Sequence, residues 1–361
     1  MQLRIVDLFC GCGGFALGAH HSGFSPSISF DIDANLTSSI KRNFPGTELV
    51  LADLKGVNGT DVQRQIGGRV DGLFGGPPCQ AFSSIGQRRA DDPRRSLLGQ
   101  YYRLVAELEP TFFVMENVEG LGFKDARPVL DDALGMVPSR YKLFGPVIFD
   151  AADFGAATRR RRLFVIGYDP EYVDEIRMDD FADAKEAPSS VRDAIADLSD
   201  SAPIGEDDGF DAWRLSDQRT LSPYAAAMRS EDLCFTGHRK TIHRQEVSAR
   251  FASVAQGDTD SVGRHPRLHW ERQCPTLRAG TGSDRGSFQS VRPLHPVEPR
   301  VITVREAARL QGFPDSFRFH PTVWHSFRMI GNSVSPIIAR KIFGIIASRM
   351  GVSEGRKVAA E

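Results

Sequence analysis

The sequence predicts an α/β protein built on a mostly parallel sheet, with a smaller irregular domain set into it. Three observations carry that prediction. Short apolar runs alternate with helical stretches through the first half of the chain. The first run, residues 3–9 (LRIVDLF), ends in a glycine turn, CGCGGF. Beyond Asp169, Pro, Gly, Ser and Asp become frequent and 3.6-residue periodicity is hard to sustain. The length, 361 residues, also exceeds what one ordinary core requires.

Residues 3–9 read as a buried strand, and the helix after the turn runs through Leu17 toward Gly23. Residues 27–30 form a second strand ending at Asp31 and Asp33. A helix through Ile40 leads to a strand over 48–51, closed by Asp53. Residues 72–74 are a short apolar strand running into GGPPCQ. After an arginine-rich loop over 83–95 come a helix near 97–107 and a strand over 112–115 that ends at Glu116-Asn117. The last strand of this half spans 163–167. Short helices are expected at 191–198 and 246–254, a further helix at 305–311, and a final one from about Pro336 to Met350 before a polar, frayed tail. The layout is a large domain over 1–168, an irregular insert over 169–301, and a segment over 302–361 that rejoins the first domain.

Composition is that of a globular protein, 41% hydrophobic and 25% charged. No apolar run reads as approaching the roughly 20 residues that cross a bilayer, and the N-terminus opens on a strand rather than a signal peptide. Five cysteines without framework spacing point to free thiols in a reducing compartment. Cys10 and Cys12 lack a second Cys/His pair, so no metal site is read there. The net charge of −1 conceals an asymmetry: residues 169–233 hold 6 basic against 18 acidic groups, and residues 234–309 hold 13 against 7, with five histidines besides. A basic stretch beside an acidic one is either a phosphate footprint or a solvated polar face.

The glycine turn, with a carboxylate closing the next strand, is a nucleoside-binding arrangement. Glycine lets the backbone approach a ligand, and the acid can accept from ribose hydroxyls. Here the glycines are Gly11, Gly13 and Gly14, and Asp31 follows at about the 20-residue spacing such sites show. Asp53 can accept from an adenine amino group. Ala16 fills the third-glycine position of the dinucleotide pattern, which moves the reading from NAD toward S-adenosylmethionine. Taken alone, the same turn would serve to pack a helix on a strand.

The segment GGPPCQAFS at 75–83 lies at the C-terminal edge of a strand, where open α/β sheets place their chemistry. Two prolines stiffen the backbone ahead of Cys79 and present its thiol in a fixed direction. A lone cysteine is most often a small buried hydrophobe. One placed after Pro-Pro, on a sheet that carries a nucleoside site, suits covalent catalysis. The C5 carbon of cytosine is too weak a nucleophile to attack a sulfonium, and a thiolate added at C6 makes it enamine-like. That addition needs an acid at ring N3, and Glu116 is the candidate, its pKa raised by burial against an apolar strand end. In the run from Thr158 to Arg162, alternation sets Arg160 and Arg162 on one face and Arg159 and Arg161 on the other.

These motifs, in this order, resemble the cytosine-C5 DNA methyltransferase family, of the prokaryotic modification type, over nearly the whole chain. DLFCGCGGF at 7–15 is similar to its first cofactor motif, GGPPCQAFS at 75–83 to its nucleophile motif, and DDPRRSLL at 91–98 to the motif behind its mobile loop. ENV at 116–118 resembles the acid motif and RRRRLFVIG at 159–167 the arginine motif, while RLQGFPDSF at 309–317 and GNSVSP at 331–336 complete the set. The resemblance implies a Rossmann-like S-adenosylmethionine-dependent methyltransferase fold with a smaller irregular target-recognition domain. It implies Cys79 as nucleophile, Glu116 at N3, and Arg160 and Arg162 on the flipped cytosine, its phosphate and the acid. The cofactor site it implies is lined by Phe9, Gly11, Gly13, Gly14, Asp31, Ile32, Asp53, Pro78, Leu97, Asn332 and Val334, with S-adenosyl-L-homocysteine as product and no metal. Residues 83–95 resemble the loop that closes over DNA, residues 169–301 the target-recognition domain, and CPTLRAGTG at 274–282 its end.

Three positions depart from the family pattern: Thr158 where glutamine is usual, Asp31 where glutamate often closes strand two, and Ile32 where an aromatic often stands. The implied partners are double-stranded DNA and, where one exists, a cognate restriction endonuclease acting separately. A monomer without membrane attachment, in a prokaryotic cytoplasm and associated with the nucleoid through DNA, is expected. Two other readings stay open, a tRNA cytosine-C5 methyltransferase, since Cys234-Phe235-Thr236 resembles a tripeptide of that branch, and a catalytically silent DNA-binding relative.

Overall fold

The computed structural model describes residues 3–78, 95–217, 221–280 and 292–351. In chain order the first part gives β1 (Ile5–Leu8), α1 (Gly14–His20), β2 (Pro26–Asp31), α2 (Ile40–Asn43), β3 (Glu48–Leu51), α3 (Gly59–Gln65) and β4 (Gly72–Gly75). It continues with α4 (Arg95–Leu108), β5 (Phe112–Val118), α5 (Arg127–Leu134), β6 (Lys142–Asp150), β7 (Arg161–Tyr168) and α6 (Met178–Asp183). The seven strands form one sheet in the order β3-β2-β1-β4-β5-β7-β6. β1 to β5 pair in parallel, and β7 runs against both of its neighbours. The strand order reverses between β1 and β4, so the crevice of this Rossmann-like sheet opens beyond their C-terminal ends. The glycine turn follows β1 there, and GGPP follows β4.

Both faces of the sheet are covered, as its apolar strands require. On one face Val6, Leu8, Leu73, Phe113 and Met115 pack with Tyr101, Tyr102 and Leu104 of α4. On the other, Phe343 stands 5.0 Å from Phe74, 5.3 Å from Phe15 and 5.9 Å from Phe24, ring centre to ring centre. Phe343 belongs to the last helix among the described residues, so this face of the sheet is covered by a segment remote from it in sequence.

The chain divides into two compact units. The first comprises 1–150, 161–185 and 338–361, and the second 151–160 and 186–337. The cuts at 185 and 337 fall later than the sequence boundaries at 168 and 301. Within the first unit, Phe181 of α6 stacks on Phe144 and Phe149 of β6 at 4.8 and 4.7 Å, which keeps the stretch after β7 with the sheet.

The second unit holds α7 (Val191–Ile195), β8 (Ala202–Asp207), β9 (Phe210–Arg214), α8 (Pro223–Met228), β10 (Cys234–Thr236), α9 (Gln245–Ala252), α10 (Val304–Gln311) and α11 (Val323–Asn332). α12 (Pro336–Arg349) starts in the second unit and continues into the first. β10, β9 and β8 form a three-stranded antiparallel sheet. Cys234-Phe235-Thr236 is its edge strand, paired with Arg214, Trp213 and Ala212.

One sequence reading is corrected. Val323–Arg349 is long and apolar enough to cross a membrane by length and composition, with 61% of its apolar window buried in the protein. It comprises two helices separated at Ser333–Ser335, and most of its apolar side chains, Phe343 among them, are buried, while Val323 is exposed. Replacing Phe343 by alanine removes the ring that four other phenylalanines share. Phe343→Ala is expected to lower unfolding free energy by about 3–5 kcal/mol, read as a lower urea midpoint; an unchanged midpoint would refute the packing role.

Candidate active site at the ends of the parallel strands

The turn after β1 bends sharply. Phe9, Gly11 and Gly13 all take left-handed backbone angles, φ 59°, 51° and 89°. Phe9 is not a glycine and bears a conformational cost of roughly 1–2 kcal/mol. A Cβ on Gly13 would come 2.5 Å from the Phe44 ring, so glycine lets the turn pack on the residue after α2. A Cβ on Gly11 would meet nothing within 4 Å, so that side of the turn is open. Gly14 starts α1 and is buried.

Asp31, the last residue of β2, accepts from the Gly11 amide at 2.9 Å and from the Asp33 amide at 2.9 Å. Burial pushes its carboxyl above the ordinary value, against the pull of the Asp33, Gly11 and Ile32 amides. Ile32, the next residue, is 71% exposed. Asp53, two residues past β3, is exposed and accepts from the Lys55 amide at 3.0 Å. A bonded carboxylate, an exposed aliphatic side chain and a second carboxylate thus follow one sheet edge. Cys10 and Cys12 are buried, and burial pushes the Cys10 thiol well up, so it stays protonated.

On the other side of the switch, the exit of β4 is pressed against its neighbours. A Cβ on Gly75 would stand 2.3 Å from the Leu8 carbonyl oxygen, and one on Gly76 2.9 Å from Glu116 Oε2. The Asn117 side-chain amide donates to the Pro77 carbonyl at 3.0 Å in a buried hydrogen bond. Pro78 is exposed. Glu116, 8% exposed near the end of β5, pairs through Oε1 with Arg162 Nε at 2.9 Å. The structure therefore brings together Gly76, Pro77, Glu116, Asn117 and Arg162. Cys79 lies outside the described residues, as do 83–94 of the loop and half of the motif at 91–98. Leu97, on α4, is half-buried.

A family model described as C-5 cytosine-specific DNA methylase matches residues 3–348. The chain belongs to that family. The Type II methyltransferase M.XorII of Xanthomonas oryzae pv. oryzae is 39% identical over 370 residues, covering 94% of this chain and 84% of its own. M.DdeI of Desulfomicrobium norvegicum, also a Type II methyltransferase, is 30% identical, with 94% and 87% covered. A crystal structure named as a prophage-encoded DNA modification methyltransferase of E. coli superposes with a TM-score of 0.82 at 34% identity, covering 97% of this chain and 99% of that one. The sheet described above is thus the fold of a methyltransferase, the enzyme class is DNA cytosine-5-methyltransferase, and the substrate is DNA.

The methylase's arginine run alternates as its sequence predicts: Arg159 and Arg161 are exposed, Arg160 and Arg162 sheltered. The two sheltered residues have different partners. Arg162 meets Glu116, whereas Arg160, in the second unit, donates to the carbonyls of Leu277 at 3.2 Å and Gly331 at 2.8 Å. Residues 157–160 run beside the start of CPTLRAGTG, with Arg159 N donating to Cys274 O and Thr276 Oγ1 to Arg159 O; positions 281 and 282 of that motif lie outside the described residues. Also in the second unit, Asn332 is exposed and Val334 buried, in a turn held by Gln311 Nε2 donating to Ser333 O and Ser335 Oγ to Gln311 O. Among the described residues no three His, Cys, Asp or Glu side chains are grouped to hold a metal.

Gly76 and Asn117 carried no role in the sequence reading. The available signal was position: a glycine before Pro-Pro and an amide beside the strand-end acid. A methyl group at Gly76 must displace the Glu116 carboxylate. Gly76→Ala is therefore expected to reduce methyl transfer about 10–100-fold with little loss of thermal stability; full activity would show that the contact is incidental.

Proposed function

We propose that the methylase transfers a methyl group from S-adenosylmethionine to C5 of a flipped-out cytosine in a specific double-stranded DNA sequence, through a covalent Cys79 adduct. The observation that supports this most is the anchoring of the GGPP segment beside Glu116, by the Gly76 approach and the Asn117–Pro77 bond. Cys79 directly follows Pro78 in the sequence.

The residues after β1, β2 and β3 suit a nucleoside cofactor. The open side of Gly11 admits a ligand close to backbone, Asp31 is positioned for ribose hydroxyls, Ile32 for the flat face of a base, and Asp53 for an amino group. Phe9, Gly13 and Gly14 shape the turn, Pro78 and Leu97 border the reactive side, and Asn332 and Val334 are assigned by resemblance alone. S-adenosylmethionine supplies a methyl group on a sulfonium, leaving S-adenosyl-L-homocysteine.

The chain's own groups do the rest. The Cys79 thiolate bonds to C6 while Glu116, held by Arg162, gives a proton to N3, so that C5 becomes nucleophilic. After methylation, water takes the C5 proton, the C6–S bond breaks to release the thiolate, and N3 returns its proton to Glu116. Arg160 acts as a positioning residue through the carbonyls of Leu277 and Gly331. Duplex DNA hides C6, so the base must leave the stack at a cost of a few kcal/mol, offset by phosphate contacts. We assign 1–168 to catalysis and cofactor binding, 169–301 to target recognition and 302–361 to completing the catalytic part. The enzyme acts as a monomer in a prokaryotic cytoplasm, within restriction-modification, with a separately acting cognate endonuclease where one exists. Cys234-Phe235-Thr236 is followed by GHRKTIHRQEVSARF, which resembles the recognition-domain opening of bacterial DNA enzymes and favours DNA over tRNA.

Duplex DNA with 5-fluorocytosine at the target cannot lose a C5 proton and should trap a denaturant-resistant protein–DNA adduct. Wild type is expected to form it and Cys79→Ser to form none; no adduct with wild type would refute the covalent step. DNA affinity should also fall steeply with salt, by about 0.9 log units per log unit of salt for each neutralised phosphate, and a flat dependence would remove the phosphate contacts from the account.

A further inference from the structure

The surface of the second unit carries a feature that the chemistry above does not use. Ile242 is 97% exposed, the most exposed large apolar side chain among the described residues. Single exposed aliphatics are ordinary on protein surfaces. This one is unusual because the irregular segment that bears it is fastened at both ends.

On the N-terminal side, Asp211 of β9 accepts from three successive backbone amides, Gly237 at 2.9 Å, His238 at 2.8 Å and Arg239 at 2.6 Å, and from the Trp213 indole at 2.7 Å. On the C-terminal side, His243 Nε2 accepts from the Val301 amide at 3.3 Å, and its ring meets Phe251 edge-on at 5.1 Å. Between these anchors Arg239, Lys240, Thr241 and Ile242 are all exposed. Arg239 pairs with Glu206 at 2.7 Å and Lys240 with Glu298 at 2.8 Å. Pairs this exposed are weak and readily exchanged for phosphate. An aliphatic side chain is thus held out to solvent by an ordered cationic segment.

Base edges in a duplex are almost wholly donors and acceptors; the apolar group they present in the major groove is the 5-methyl of thymine. We propose that Ile242 is a specificity-determining residue that reads a thymine methyl group in the target duplex, with Arg239 and Lys240 exchanging their carboxylates for phosphates and Asp211 holding the segment in position. This rests on the reading that the chain methylates a specific duplex sequence.

The test begins with bisulfite sequencing of plasmid DNA treated with the purified wild-type enzyme and S-adenosylmethionine, which gives the target sequence. Each thymine of that target is then replaced in turn by uracil, which lacks only the methyl group, and kcat/KM is measured for wild type and Ile242→Ala. At one position uracil should cost wild type about fivefold, Ile242→Ala should cost a similar factor on the thymine duplex, and the two together should cost no more than either. The variant should keep the wild-type melting temperature, since the side chain has almost no buried surface to lose. A target without thymine, uracil tolerated everywhere, or an equal uracil penalty in Ile242→Ala would overturn the proposal while leaving the activity intact. A wild type that methylates no duplex DNA would instead refute the underlying activity, and is seen before any variant is made.

Discussion

The buried hydrogen bond from the Asn117 amide to the Pro77 carbonyl is the contact on which the working end of the first unit depends. Pro77 and Pro78 have no N–H to give, so this stretch cannot be held by a strand ladder. A side-chain donor from the neighbouring strand does that work, and it brings Gly76 against Glu116. The reversed direction of β7 matters equally. A parallel neighbour would set its own C-terminal end beside the end of β5. An antiparallel one sets its beginning there, which is why Arg162, at the start of β7 and opposite Val118, can reach Glu116. Three strand ends are thereby joined through one loop carbonyl and one carboxylate.

The second unit solves a different problem. Its chain is largely irregular, so many carbonyls find no partner in helix or sheet, yet buried carbonyls must be bonded. Buried arginines supply the donors. Arg267 reaches the carbonyls of His295 and Phe251, Arg305 those of Thr236, Pro314 and Phe317, and Arg160 those of Leu277 and Gly331. Arg309 is bonded by Asp315 at 2.7 Å and Asp197 at 3.0 Å, and Arg300 by Glu306 at 2.8 Å. Burial, with the neighbouring Arg309 and Arg318 charges and against the pull of Asp315 and Asp211, pushes the Arg305 guanidinium down to about 10, and it stays charged near neutrality. Removing one member of such a pair strands the other in a medium that cannot solvate it, at about 3–5 kcal/mol. RLQGFPDSF is, in this light, a building motif: Arg309 and Asp315 are two ends of one ion pair.

Much of the first sheet could be read from sequence, because strands buried on both faces are short apolar runs bounded by turn residues. The glycine turn, Asp31, the GGPP segment and Glu116 were all legible on that basis. β6 was not, being a half-exposed edge strand interrupted by Gly145-Pro146, with its register broken between Phe144 and Val147. α3 buries only Gly59 and Val62, and α5 only Leu130 and Ala133, too few to mark a helical period. β8 is exposed along its whole length, so it shows no alternation. The positive excess over 234–309 was read as surface charge, but Arg267, Arg300, Arg305 and Arg309 are interior. A count of residue types cannot tell a cation facing solvent from one bonded to carbonyls.

The place of Phe343 sets an order of events during synthesis. The aromatic layer behind β1, β4 and β5 is incomplete until a helix encoded almost at the other end of the described chain has been made. A nascent polypeptide can form its strands early, but it cannot close that layer while α12 is still inside the ribosome. Chains cut short anywhere in the second unit would leave the sheet's apolar face open to water and to proteolysis. Competence for catalysis therefore waits until α12 has emerged.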